Sequence, residues 1–235
     1  MISKRGLTLD ERLLAADERD LAARLREALH AGRPLPPPRV APTLSYGRHR
    51  GPSRPSSRVA AVAVAMYCDP SGEWIVPLTR RPHHLQHHGG QICLPGGRVE
   101  PGETTREAAL REFEEELGIR PTVLYDCGEL SPQYVYASDN IVHPVVTVMQ
   151  PPEIPWRPDP NEVDQVIALP LTRLLESEPS QDPFFIRREV RQGKIATGDL
   201  VFRASAIKYQ QYCVWGATAM ILDQLAQILQ DEGRT

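Results

Sequence analysis

The chain has 235 residues, 41% of them hydrophobic and 24% charged, which is the balance of a soluble globular domain with room for an extension. Its formal net charge of −3 offers no basic footprint for nucleic acid, and no apolar run approaches the length of a membrane span. The four cysteines, Cys68, Cys93, Cys127 and Cys213, lie far apart with no C-x-x-C pair. Reduced, mostly buried thiols in a cytoplasmic protein are therefore expected.

Residues 7–30 read as a helix that Thr8 can cap, with Leu13, Leu14, Leu21, Leu25 and Leu29 as an apolar stripe among Arg, Asp and Glu. A charged, helical start is not the pattern of a signal peptide. The stripe is read as packing on the main domain; a dimerisation helix, and so a homodimer, is the alternative. Residues 31–57 carry Pro34, Pro36, Pro37, Pro38, Pro42 and Pro55, which preclude regular structure and predict a linker or a segment draped over the surface. This divides the chain into an N-terminal helix and Pro-rich linker, 1–57, and a main domain, 58–230.

Residues 59–66 are almost continuously apolar and β-branched, as in a strand buried on both faces. A turn at Asp69, Pro70, Ser71 and Gly72 leads to a second strand over 74–79. Further strands are predicted over 91–94, 122–130, 141–149, 163–169, 184–190 and 200–206. Pro144 marks the 141–149 strand as an edge or a bulge. A short helix is predicted over 171–176 and a closing helix over 212–229, with Trp215, Ala219, Leu222 and Leu225 inward. Strands with one helix mid-chain and one at the end predict an α/β layered domain around a mixed sheet.

The most informative stretch is 97–119. Thr104 and Glu107 have the spacing of a capping box, so a helix should start near Thr104, and Gly118 falls where a left-handed cap would end it. Ala109, Leu110, Phe113 and Leu117 recur at helical spacing and give a buried side. Glu112, Glu115 and Glu116 sit at i, i+3 and i+4 on one other face, where like charges repel. Arg111 is the only cation between Glu107 and Gly118. A solvated acidic face is the bland account of such a run; clustered carboxylates are also what a hard, oxygen-seeking divalent cation requires.

Gly97, Glu103, Arg111, Glu112, Phe113, Glu115, Glu116, Gly118 and Ile119 fill every fixed position of G-x5-E-x7-R-E-U-x-E-E-x-G-U, with U apolar. The segment resembles the Nudix box. The resemblance implies an α/β/α sandwich and a Mg2+- or Mn2+-dependent hydrolase of nucleoside diphosphates linked to another group. It further implies that Glu112 and Glu116 are metal ligands, with Glu115 a further ligand or base. A backbone carbonyl near Gly97 would reach the metal, and Arg111 and Glu103 would orient the carboxylates.

The preceding segment, 78–97, resembles the additional motif of coenzyme A pyrophosphatases, approximately L-L-T-x-R-S/A-x3-R-x3-G-x3-F-P-G-G. Leu78, Thr79, Arg81, Gly90, Pro95, Gly96 and Gly97 match in register, while Pro82, Gln86 and Leu94 depart from it. Asn161, Glu162 and Val163 with Leu169, Pro170 and Leu171, and the run Val214 to Ala219 containing Trp215, Gly216 and Thr218, resemble further pieces of that subfamily. The resemblance implies a coenzyme A-like nucleotide substrate, with Arg80, Arg81, His88 and Gly90 as substrate-binding candidates. Gln86 removes one cation of the motif, for which Arg80 or Arg81 would compensate. Glu115 and Glu162 are the candidates for the base that takes the water's proton, with a solvated loop acid the alternative for Glu162. His83, His84, His87 and His88 have no local Cys partners, so phosphate or pantetheine contact is favoured over zinc, with plain loop histidines the other alternative. Hydrolysis of another nucleotide such as ADP-ribose, or ligand sensing without catalysis, are the alternatives; intact carboxylates argue against the sensor.

Overall fold

The computed structural model describes residues 16–40, 53–83, 89–135, 138–176, 184–192 and 195–232. An eight-stranded mixed sheet forms its centre, built from β1 (Arg58–Cys68), β2 (Trp74–Arg80), β3 (Ile92–Cys93), β4 (Gly96–Arg98), β5 (Val123–Glu129), β6 (Gln133–Val135), β7 (Asn140–Met149) and β8 (Gln165–Pro170). The main path runs β3-β2-β1-β7-β5, with β4 beside β1, β6 beside β7 and β8 beside β2. β1 and β7 are parallel along nearly their full length, from Arg58 opposite Asn140 to Met66 opposite Val148. Two hairpins complete the strands among the described residues: β9 (Phe184–Gln192) with β10 (Ile195–Ala204), and the shorter β11 (Ala206–Tyr209) with β12 (Tyr212–Trp215).

Strand alternation sends successive β1 residues to opposite faces. Ala61, Ala63, Ala65 and Tyr67 join the core beneath α2 (Thr105–Leu117), which contributes Ala108, Ala109, Phe113 and Leu117. Ala60, Val64 and Met66 face the larger core on the other side. That side holds α1 (Glu18–His30), α3 (Leu171–Glu176) and α4 (Gly216–Glu232), through residues such as Leu21, Leu25, Leu171, Leu174, Leu222 and Leu225. The result is the expected three-layer sandwich, with the acidic helix and the closing helix on opposite faces. None of the described helices is long and apolar enough to cross a membrane.

Several expectations are corrected. The predicted helix over 7–30 does not run through residue 17: Asp17 is extended at ψ 174° and caps α1, accepting from Asp20 N. Thr8 lies outside the described residues. Pro144 is in neither an edge strand nor a bulge, since β7 is flanked by β1 on one side and by β5 and β6 on the other. The sheet tolerates it because β6 pairs as far as Val142 and β5 begins at Val145. The missing N–H thus falls at the β5–β6 junction, where Leu130 N donates to Pro144 O at 3.0 Å. Residues 212–215 are strand β12, and the closing helix starts at Gly216. On α2, Ala108 is buried where Leu110 was expected.

The proline-rich segment, as far as residue 40, drapes over α4. Gln224 and Gln227 donate to the carbonyls of Pro36 and Pro37 at 2.7 and 3.1 Å. Arg39 donates through Nε and Nη2 to the buried Asp223 at 2.9 and 2.6 Å.

Candidate active site

The acidic helix is set at both ends by its own sequence. Thr104 accepts from Glu107 N, and the Glu107 carboxylate accepts from Thr104 N, so the capping box is complete. Such a cap contributes about 1 kcal/mol. Gly118 ends the helix in the left-handed region at φ 69° and donates to Glu114 O at 2.8 Å. Its missing side chain serves a second purpose: a Cβ would overlap the carbonyl of Arg157, which packs against the helix end.

Two glycines bring the preceding turn against the helix. A Cβ on Gly96 would overlap the β1 backbone at Ala61 and Val62, opposite which Gly96 pairs. A Cβ on Gly97 would fall on the carboxylate of Glu112. The backbone at Gly97 therefore lies flush with an acidic side chain.

Arg111 organises the outer acids. Its Nε and Nη2 donate to Glu103 at 2.8 and 3.2 Å, and Nη2 also donates to Arg98 O at 3.0 Å. Its Nη1 donates to Glu112 Oε1 at 2.9 Å and to Glu115 Oε2 at 3.0 Å. The Glu103 carboxylate also accepts from Glu100 N at 3.0 Å, and Arg111 holds it below the usual carboxylate range. Glu115 is the most exposed of the box acids, at 56%.

Glu116 differs from its neighbours. It is only 3% exposed. Burial pushes its carboxyl up to about 8; nearby Arg81 opposes the rise, Glu112 and Glu162 add repulsion, and the Gly96 N–H helps hold the charge. Thr79 Oγ1 stands 3.3 Å from Glu116 Oε2 and 3.5 Å from Cys93 O. Glu112 is also raised, chiefly by burial, against the pull of Arg111. Among the described residues, no three His, Cys, Asp or Glu side chains converge on one point. Arg111 divides the acids, drawing Glu112 and Glu115 outward while Glu116 stays within.

The segment before the box contributes from β2. Alternation puts Thr79 and Arg81 on the side of Glu116 and turns Arg80 away. The guanidinium of Arg80 is engaged by Asp164 at 2.6 Å, so the structure does not gather Arg80 with the carboxylates. Arg81 Nε is buried without a hydrogen-bond partner among the described residues. The Cys93 thiol sits beside Arg81, Glu116 and Thr218, pushed up to about 11 by burial. Gly90 is left-handed at φ 73°, with the His83 ring where a Cβ would go. His84, His87 and His88 lie outside the described residues.

Glu162 arrives from far along the chain. Its carboxylate is exposed, yet close enough to raise both Glu112 and Glu116. The approach to its turn runs along the end of α2: Arg157 N donates to Leu117 O at 3.0 Å and Asp159 N to Glu116 O at 3.3 Å. Trp156 stands edge-on to Phe113 and Tyr67, with centroids 5.9 and 6.2 Å away. Thr79, Trp156 and Asp164 were not singled out as site residues from the sequence. For Thr79 a signal existed, since it shares a strand face with Arg81; for Trp156 and Asp164 only the fold supplies one.

The model of the NUDIX domain family matches residues 57–188, more than half of the chain. The chain belongs to the Nudix family. It is similar to the uncharacterized Nudix hydrolase NudL of Escherichia coli O6:H1, 37% identical over 150 residues that cover 63% of this chain and 72% of that protein. NudL of Salmonella paratyphi B is 32% identical over 177 residues, covering 73% and 82%. Among solved structures, a MutT/nudix family protein from Enterococcus faecalis superposes with a TM-score of 0.45 at 16% identity, over 79% of this chain and 67% of that one. As a Nudix hydrolase, the protein acts on phosphoric anhydrides of nucleoside diphosphate derivatives, and enzymes of this family generally use a divalent metal such as Mg2+ or Mn2+.

Proposed function

We propose that this Nudix hydrolase is a coenzyme A pyrophosphatase, cleaving coenzyme A or its thioesters to 3′,5′-ADP and 4′-phosphopantetheine or its acyl form. The supporting observation is convergence. Arg81, from the segment before the box, sits beside the buried Glu116 of the box, and Thr218, from the start of α4, reaches Cys93. Two separate pieces of sequence that resemble the coenzyme A subfamily thus meet the Nudix box at one place.

By donor chemistry the residues present suit a hard divalent cation, which would have to draw Glu112 and Glu115 from Arg111 toward Glu116. Glu112, Glu116 and Glu115 with the carbonyl at Gly97 offer only oxygen donors, as Mg2+ or Mn2+ prefers. Glu116 is a buried acid whose charge is unfavourable without a counter-cation. When bound, the cation would neutralise the pyrophosphate oxygens and acidify the attacking water. Arg111 and Glu103 brace Glu112. Arg81 is placed to meet a phosphate group through its guanidinium, and Gly90 shapes the turn that follows it.

In the reaction, a water oxygen forms a new bond to one phosphorus, and the bond from that phosphorus to the bridging oxygen breaks. We assign the water's proton to Glu162. Glu115 is the weaker candidate because Arg111 already holds it. Incubating the protein with coenzyme A and Mg2+ should release 3′,5′-ADP and 4′-phosphopantetheine in equal amounts by mass spectrometry. Release of free phosphate or adenosine instead would reject the assignment.

A further inference from the structure

We propose that Arg80 and Asp164 are positioning residues, whose ion pair clamps the far end of the turn carrying Glu162 and so sets where that carboxylate stands against Glu112 and Glu116. The proposal rests on the reading of Glu162 as the base. The near end of the turn is already fixed on α2. Arg157 and Asp159 supply N–H donors to Leu117 O and Glu116 O, carbonyls that a helix end cannot satisfy by itself. Inside the turn, Asp159 O accepts from Glu162 N at 3.0 Å and Val163 N at 2.8 Å. Asp159 Oδ1 accepts from Asn161 N and Nδ2, both at 2.9 Å. Val163 is then buried, so the turn cannot slide outward freely.

The far end is fixed on β2. Asp164 N donates to Arg80 O at 2.8 Å, and Arg80 Nε and Nη2 reach back to Asp164 Oδ2 at 2.9 and 2.6 Å. One backbone donor and two guanidinium donors thus tie adjacent points of two segments. The strand that holds Glu116 through Thr79 also holds the Glu162 turn through the next residue. Both groups are registered to a single rigid element.

The pair is 31% and 42% exposed, and ion pairs so placed contribute little to folding stability. A purely structural role therefore predicts small effects everywhere. A positioning role predicts a selective loss of kcat, because a displacement of about 1 Å at a reacting group can cost about 100-fold.

The test is a double-mutant cycle on Arg80→Met, Asp164→Asn and Glu162→Gln, with whichever of coenzyme A and ADP-ribose the enzyme hydrolyses. Melting temperature and Mn2+ affinity, read by paramagnetic resonance, are followed alongside. Arg80→Met and Asp164→Asn should each lower kcat about 10-fold, leaving KM, Mn2+ affinity and melting temperature near wild type. Arg80→Lys should recover most of the rate. In the Glu162→Gln background the same changes should cost less than about 2-fold, because there is no base left to position. Full additivity with Glu162→Gln, or a raised KM in place of a lowered kcat, would overturn the clamp. Slow Glu162→Gln with full-rate Arg80→Met would reject the clamp alone. Full-rate Glu162→Gln would reject the base reading and the clamp with it.

Discussion

The backbone of Gly97 lies flush against the carboxylate of Glu112, so closely that a Cβ would overlap Glu112 Cδ and both of its oxygens. The first glycine of the box is therefore a matter of space. It lets a main-chain segment and an acid share one small region at the mouth of the helix. Gly97→Ala should force Glu112 off its hydrogen bond to Arg111. Because the group it meets is the flexible end of a side chain, the shift should cost little stability, while the rate should fall about 100-fold with the fold retained. Circular dichroism and kcat on one preparation decide it; an active Gly97→Ala enzyme would show that Glu112 moves without consequence.

Glu116 gives a pH signature. Its folded pKa of about 8 is above the ordinary value of 4.5, chiefly through burial. The folded chain therefore keeps a proton that the unfolded chain releases. For the metal-free protein, this favourable contribution is complete below pH 4.5 and is lost as pH rises through about 8. The slope is at most about 1.4 kcal/mol per pH unit. Glu116→Gln should remove it, so in chelator the variant should gain in melting temperature over wild type as pH rises from 5 to about 8. Mg2+ should close that gap by stabilising only the wild type. The same variant should lose about a thousandfold in turnover, or roughly 4 kcal/mol of transition-state stabilisation. Parallel melting curves for the two proteins at every pH would contradict the burial account.

Much of this site was legible in the sequence because its rules are local. The capping box at Thr104, the left-handed Gly118 and the i, i+3, i+4 acids fix the helix within about one turn of chain. What the sequence hid depends on distant neighbours. Glu112, Glu115 and Glu116 look equivalent on one face, yet the sheet buries Glu116 and leaves Glu115 exposed. Arg80 and Arg81 look interchangeable until strand alternation sends one toward Glu116 and the other to Asp164. Pro144 misled because a strand gap between β5 and β6 accommodates it in the sheet interior. Residues 212–215 misled because a short apolar run does not distinguish a strand from a helix start.

Gly118 should be intolerant for two reasons that can be separated. Any side chain at φ 69° is strained by about 1 kcal/mol, and a Cβ there also meets Arg157 O. Gly32 has a similar φ of 67° with nothing near its missing Cβ. Gly32→Ala should therefore lose a little stability and no activity. Gly118→Ala should lose more stability and also slow turnover, because the chain leading to Glu162 must shift. Equal losses in the two variants, by thermal melting and kcat, would show that strain alone explains Gly118.

The direct measurement compares kcat/KM for coenzyme A, dephospho-coenzyme A, ADP-ribose and a diadenosine polyphosphate in one Mg2+ buffer. Coenzyme A should be preferred, with dephospho-coenzyme A weaker through loss of a phosphate that Arg81 can meet. A clear preference for ADP-ribose or the diadenosine compound would contradict it, leaving a Nudix hydrolase whose second motif serves another nucleotide.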